Sequence, residues 1–243
     1  MSFDRATPGA GAEPGSPHVP QGSSGAEGLT PSLRLQILST EHWSLLASRS
    51  LAWNESFSRA GMFLSTLSGA IVALALVGQG SGFGPSFVLF ALVILPVVLF
   101  LGVATFVRMG ASNWHDAQCV IGMNRIRAGY LELAPELEPY FVMGVHDDRR
   151  GVTITMAQPP GTNPVVHLLA ATPTVVSVVD SMLAAAIAGL LAIEAAAAMP
   201  VVLGVGAVAF VIAFIAHTRH ARGVMRRSQA SLRPMFPSPA ADR

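Results

Sequence analysis

The sequence predicts an all-α fold, an integral membrane four-helix bundle with a small, mostly helical cytoplasmic layer. Three observations lead there. Four long apolar segments, roughly Ala60 to Val77, Ser86 to Val107, Thr174 to Ile193 and Val201 to Ala216, occur in two pairs. The connections within the pairs, 78–85 and 195–200, carry no charge, and all 15 Lys and Arg positions are arginines lying outside them. At about 1.5 Å per residue, with a few flanking residues for the shortest, each segment can cross a hydrocarbon core about 30 Å thick.

Arginines near span ends stay on the cytoplasmic side. Arg34, Arg49 and Arg59 precede the first span, Arg108, Arg125, Arg127, Arg149 and Arg150 follow the second, and Arg219, Arg222, Arg226 and Arg227 follow the fourth. Both termini and the central connection are therefore expected in the cytoplasm. The two outer turns are too short for a receptor or a secreted catalytic domain. Absence of lysine beside abundant Ala, Gly, Pro and Arg suggests a GC-rich bacterial genome, hence a bacterial plasma membrane.

Residues 1–31 are rich in Gly, Pro and Ser without an apolar run, which reads as a disordered cytoplasmic tail rather than a signal peptide. Over 32–58, Leu35, Leu38, Leu45, Leu46 and Phe57 recur among Arg34, Glu41, Arg49 and Glu55. That pattern predicts an amphipathic helix entering the first span unbroken; Trp43 and Trp53 would suit a place on the membrane surface, but charges mixed in sign favour packing on the central connection. The first hairpin occupies 59–107, with Pro96 expected to kink its second helix. Within the subdomain at 108–172, Ser112 to Ala134 reads as a helix broken by Pro135 and Pro139. His146 to Gly151 reads as a charged turn, Val152 to Met156 as a short strand or extended segment, and Gln158 to Pro164 as a linker. Pro173 and Pro200 suit the first turns of the helices in the second hairpin, 173–217. A basic tail, 218–243, completes the chain.

Inside the bilayer, Asp180 is the leading candidate, since a carboxylate two turns into a span costs several kcal/mol unless paired, hydrated or protonated. Hairpin register places His217 about one turn nearer the cytoplasm, so a hydrogen bond to it is expected; Arg59 is the other candidate partner. Glu194, about 40° from Asp180 around the helix, lies at the outer boundary, where water is close. Ser65, Gly69 and Ala73, and likewise Ser181, Ala185 and Gly189, recur every four residues, a spacing that lets helices approach closely. Both stripes are expected to face protein, within the bundle or between subunits. Arg219, Arg222, Arg226 and Arg227 form a collar able to attract anionic lipid head groups or simply to enforce topology.

Catalytic and cofactor signatures are absent from the sequence: there is no Walker loop, dinucleotide fingerprint or nucleophile elbow. His115 with Asp116, and His146 with Asp147 and Asp148, lack ligand spacing for a metal, so neither a metal nor a cofactor is expected. Lone Cys119 rules out an intrachain disulfide. A net charge of +1 and the membrane spans argue against nucleic acid.

Three stretches, Glu41-His-Trp-Ser-Leu-Leu-Ala-Ser-Arg-Ser-Leu-Ala-Trp-Asn-Glu-Ser56, Asn124-Arg-Ile-Arg-Ala-Gly-Tyr130, and Pro135-Glu-Leu-Glu-Pro-Tyr-Phe141 with His146-Asp-Asp148, carry a resemblance. From about residue 35 to 220 the chain resembles uncharacterised four-span membrane proteins of high-GC Gram-positive bacteria. The resemblance implies the architecture and lends no activity. The expected function is a non-enzymatic, self-associating scaffold or interaction protein, a homo-oligomer in the lipid bilayer with room for a cytoplasmic protein partner. The alternative is an oligomeric ion channel or effector pore near Asp180 and Glu194; a small dimeric transporter ranks third.

Overall fold

The computed structural model describes residues 29–156, 171–231 and 233–239. Helix α1 (Pro31–Ser81) and helix α2 (Pro85–Leu133) form an antiparallel hairpin. A 3-10 helix (Pro135–Tyr140) and a short helix α3 (Arg149–Thr155) follow, then α4 (Thr172–Glu194) and α5 (Met199–Ser231). All four long helices are long and apolar enough to cross a membrane, so the chain is a multi-pass, all-α membrane protein. Among the described residues there is no strand.

Helix α2 is the spine, with α1 on one side and α4 on the other; α5 packs mainly on α4. The core between them is Phe63 and Ala70 of α1, Ala91, Leu95, Val98, Phe106 and Met109 of α2, and Val176 and Leu183 of α4. Outward positions are equally apolar, with Leu89, Phe100, Met182, Leu203 and Ile212 all more than 60% exposed. Such continuous apolar surface suits lipid and not water.

The hairpins close in different ways. Gly82 takes a left-handed conformation (φ 61°) as the cap of α1, and Phe83 (φ 57°) folds its ring onto Gly78, where a Cβ would lie 2.5 Å from Cε1. At the second turn Ala196 adopts φ 55°, a conformation that costs a non-glycine residue roughly 1 kcal/mol.

Beyond the apolar segments α1 and α2 run on together without a break, so the expected helices over 32–58 and 112–134 are continuations of membrane helices. Leu38, Leu45 and Ala52, seven residues apart, point at α2, and glycines receive the two leucines. A Cβ at Gly122 would come within 2.7 Å of Leu45 Cδ1, and one at Gly129 within 3.1 Å of Leu38 Cδ1. Leu35, Leu46 and Phe57, expected on the same face, are exposed instead. Pro96 lies within unbroken helix, and Pro173 and Pro200 occupy first turns. The proposed extended segment 152–156 is corrected: Asp148 caps α3 there by accepting the Gly151 amide at 2.9 Å, and the chain coils. The linker at 158–164 and residues 1–28 of the expected tail lie outside the described residues.

Candidate functional site

Two polar sites stand out, one inside the apolar bundle and one at its arginine-rich end. In the first, Asp180 of α4 is fully buried, and its Oδ2 lies 3.2 Å from Nε2 of His217 on α5. The other ring nitrogen, Nδ1, is 2.8 Å from the Ala213 carbonyl oxygen one turn back. Phe106 of α2 covers the imidazole edge-to-face, with centroids 4.6 Å apart. Asp180 Oδ1 is buried and has no hydrogen-bond partner among the described residues. It nests against Gly102 of α2, where a Cβ would stand 1.8 Å away. The carboxylate is thus wedged among α2, α4 and α5, and the Phe63 ring of α1 approaches the same place, 2.8 Å from the Cβ position of Gly102.

Arg59, the other partner considered for Asp180, turns to Glu55 on its own helix (Nε to Oε1 2.9 Å), and Arg108 of α2 binds the same carboxylate at 2.8 Å and 3.2 Å. This three-residue cluster ties α1 to α2 at the end of the apolar zone. Glu194 is exposed at the opposite end of α4. The collar arginines Arg219, Arg222, Arg226 and Arg227 are exposed along α5 beyond His217.

The two small-residue stripes part company. Ser181 is buried and Ala185 and Gly189 are half-buried against α5; a Cβ on Gly206 would sit 3.4 Å from the Ala185 carbonyl, and one on Gly189 3.7 Å from Val202. Ser65 and Gly69 face out of the bundle, with nothing within 4 Å of a Cβ at Gly69, and only Ala73 is half-buried. Within one chain, then, only the α4 stripe packs against a neighbouring helix, and the α1 stripe lies on the outer surface. The inner face of α1 is built instead by Ala60, Phe63 and Ala70.

At the arginine-rich end, Asn124 of α2 is fully buried and organises the connection. Its Nδ2 donates to the His146 carbonyl at 2.7 Å, and its Oδ1 accepts from Arg127 at 2.8 Å and from Thr155 Oγ1 at 2.7 Å. Gly151 is required there, since a Cβ would fall 2.0 Å from the His146 carbonyl oxygen. The turn so placed grips the end of the chain. Asp147, 1% exposed, accepts the Met235 and Phe236 amides, each at 2.8 Å, and Arg125 Nε at 2.7 Å. Asp148 accepts the Ser238 amide at 3.0 Å and its hydroxyl at 2.9 Å. Burial opposes ionisation of both, but these donors outweigh it and hold both carboxyls below their ordinary value. What reads as a solvated charged turn is a clasp for residues 233–238.

His115 and Asp116 do not converge on one centre. Asp116 Oδ1 takes Arg49 Nε at 2.6 Å and Trp53 Nε1 at 3.0 Å, while His115 lies 3.7 Å from buried Cys119. Among the described residues, no three His, Cys, Asp or Glu side chains are placed to hold a metal ion. Gly102, Asn124 and the partners of Asp147 escape sequence reasoning because their significance lies in contacts across 22 to 89 residues of chain. Compared with known proteins, the chain matches no family model, no curated protein and no solved structure.

Proposed function

We propose that this is a bacterial plasma-membrane protein, both ends and the 108–172 connection in the cytoplasm, that self-associates and serves without catalysis as a scaffold or interaction partner. The orientation rests on arginine placement. The observation that carries the self-association reading is the outward face of α1. There Gly61, Ser65 and Gly69 are exposed in the apolar zone, with open space around both glycines. The same face continues past the apolar zone as Trp43 (69% exposed), Leu46 and Phe57. Small residues favour helix pairing in lipid, and exposed aromatics favour it in water. A second copy offers both surfaces in matching order.

The pore alternative has less support. Asp180 faces α2 inside a single chain while Glu194 is exposed at the far end, so the two do not share an open face. The exposed arginines of α5 suit anionic head groups. The deciding experiment is the mass of the nanodisc-held particle across a dilution series. Oligomers support the reading, and a monomer at every concentration overturns it.

A further inference from the structure

We propose that Asp180 and His217 form a proton-binding site inside the bundle, one whose occupancy governs how α5 is held against α2 and α4. A carbonyl only accepts, so the 2.8 Å contact to Ala213 O places a hydrogen on Nδ1 of His217. With that tautomer, neutral imidazole has a lone pair on Nε2, and an ionised carboxylate has only lone pairs. The 3.2 Å contact between Nε2 and Asp180 Oδ2 is then a hydrogen bond only if the pair holds one proton more than neutral His plus ionised Asp. The opposite tautomer would turn the Nδ1 lone pair onto the carbonyl oxygen at 2.8 Å, trading one repulsion for another.

Charge leads to the same place. With the proton the pair is neutral overall; without it a full negative charge remains where Asp180 has no solvent exposure. A larger cation does not fit as the compensating ligand. Asp180 has no accessible surface, its Oδ1 is buried against Gly102, and its Oδ2 faces the imidazole that Phe106 covers in turn. Other charged groups nearby are committed elsewhere or exposed: Arg59 of α1 and Arg108 of α2 share Glu55, and Arg219 of α5 is exposed. On the remaining side His220 of α5 lies 6.1 Å from the Phe106 ring. Glu194, the other ionisable group of α4, is fourteen residues away at its end.

Loss of the proton removes the bond joining α4 to α5 and leaves a charge that needs water. His217 is 8% exposed at the arginine-rich end of the bundle, so the route to water is outward movement of that end of α5. Proton release is thereby coupled to a displacement of the helix that carries the arginine collar and the 233–238 segment.

The test uses full-length protein in nanodiscs labelled with ¹⁵N-histidine, with His217→Gln to assign the signal. The expected result is Nδ1 protonated throughout and Nε2 losing a proton in one step as pH rises. Spin labels at Ala111→Cys and Ala221→Cys in a Cys119→Ser background should move apart with the same midpoint. Asp180→Asn, whose amide can donate to the Nε2 lone pair with no added proton, should abolish both the step and the movement. A neutral Nε2–H tautomer, a proton state unchanged wherever the protein stays folded, or a movement that survives in Asp180→Asn each overturns the proposal. If Asp180→Asn does not fold, the wild-type tautomer and the coincidence of the two midpoints still decide it.

Discussion

Gly102 of α2 and Asp180 of α4 are fitted to each other: any side chain at Gly102 would collide with the carboxylate, whose Oδ1 lies 1.8 Å from the position of a Cβ. Gly102→Ala is therefore expected to destabilise the bundle by about 1–3 kcal/mol, the range for overpacking. The penalty should shrink by at least about 0.5 kcal/mol in the Gly102→Ala, Asp180→Ala double variant, where the colliding oxygen is gone. Thermal or denaturant unfolding in detergent measures the cycle. Strict additivity would mean that the two residues do not share this space.

Residues 233–238 should leave the clasp on acidification. Asp147 and Asp148 have folded-state pKa values held below the ordinary 3.8, so their stabilising contribution is complete above that value and is lost as pH falls through the lower folded values. At neutral pH the clasp is fully engaged. Asp147→Asn removes the ion pair with Arg125 and one of the oxygens that accept the tail amides. Hydrogen exchange at Met235 and Phe236 should then quicken by roughly tenfold or more, as loss of bonds to a charged acceptor implies. Exchange unchanged in that variant would show that the carboxylate does not hold the tail.

Asp116 gathers two donors from α1, Arg49 and Trp53, on a single oxygen. Asp116→Ala strands both, and with Arg49 still 25% exposed the loss should be about 1–3 kcal/mol, below that of a fully buried pair. Asp116→Asn keeps an acceptor and should lose less. Trp53 fluorescence reports the local change, and equal stability of the two variants would refute the ranking.

The helices were legible in the sequence because membrane spans announce themselves by length and apolarity, and Asp180 stood out because nothing else in its span is charged. His217 was within reach too, since a tight hairpin fixes the register between α4 and α5. What could not be read was which side of α1 faces inward. Leu35, Leu38, Leu45 and Leu46 look equivalent along the chain, and only the glycines at 122 and 129, far away on α2, select Leu38 and Leu45. In the apolar zone every face of α1 is hydrophobic, so periodicity carries no signal, and the visible stripe of small residues turned out to point away from the bundle. The Asp147 clasp was hidden for a related reason: its ligands are backbone amides, which any sequence supplies.

That outward stripe yields the sharpest contrast between two glycines. Gly69 has open space around its Cβ position, whereas a Cβ at Gly189 would touch Val202 of α5 at 3.7 Å. Gly69→Leu should leave the stability of the single chain within about 0.5 kcal/mol, as expected of a surface position. The same change places a branched side chain on the face through which a second copy would approach, so oligomers should dissociate while monomers stay folded. Gly189→Leu should do the reverse, overfilling the contact between α4 and α5 at a cost of about 1–3 kcal/mol with no direct effect on the α1 face. Particle mass and unfolding temperature, measured together on both variants, separate the cases. If Gly69→Leu leaves the oligomer intact, subunits meet through some other surface.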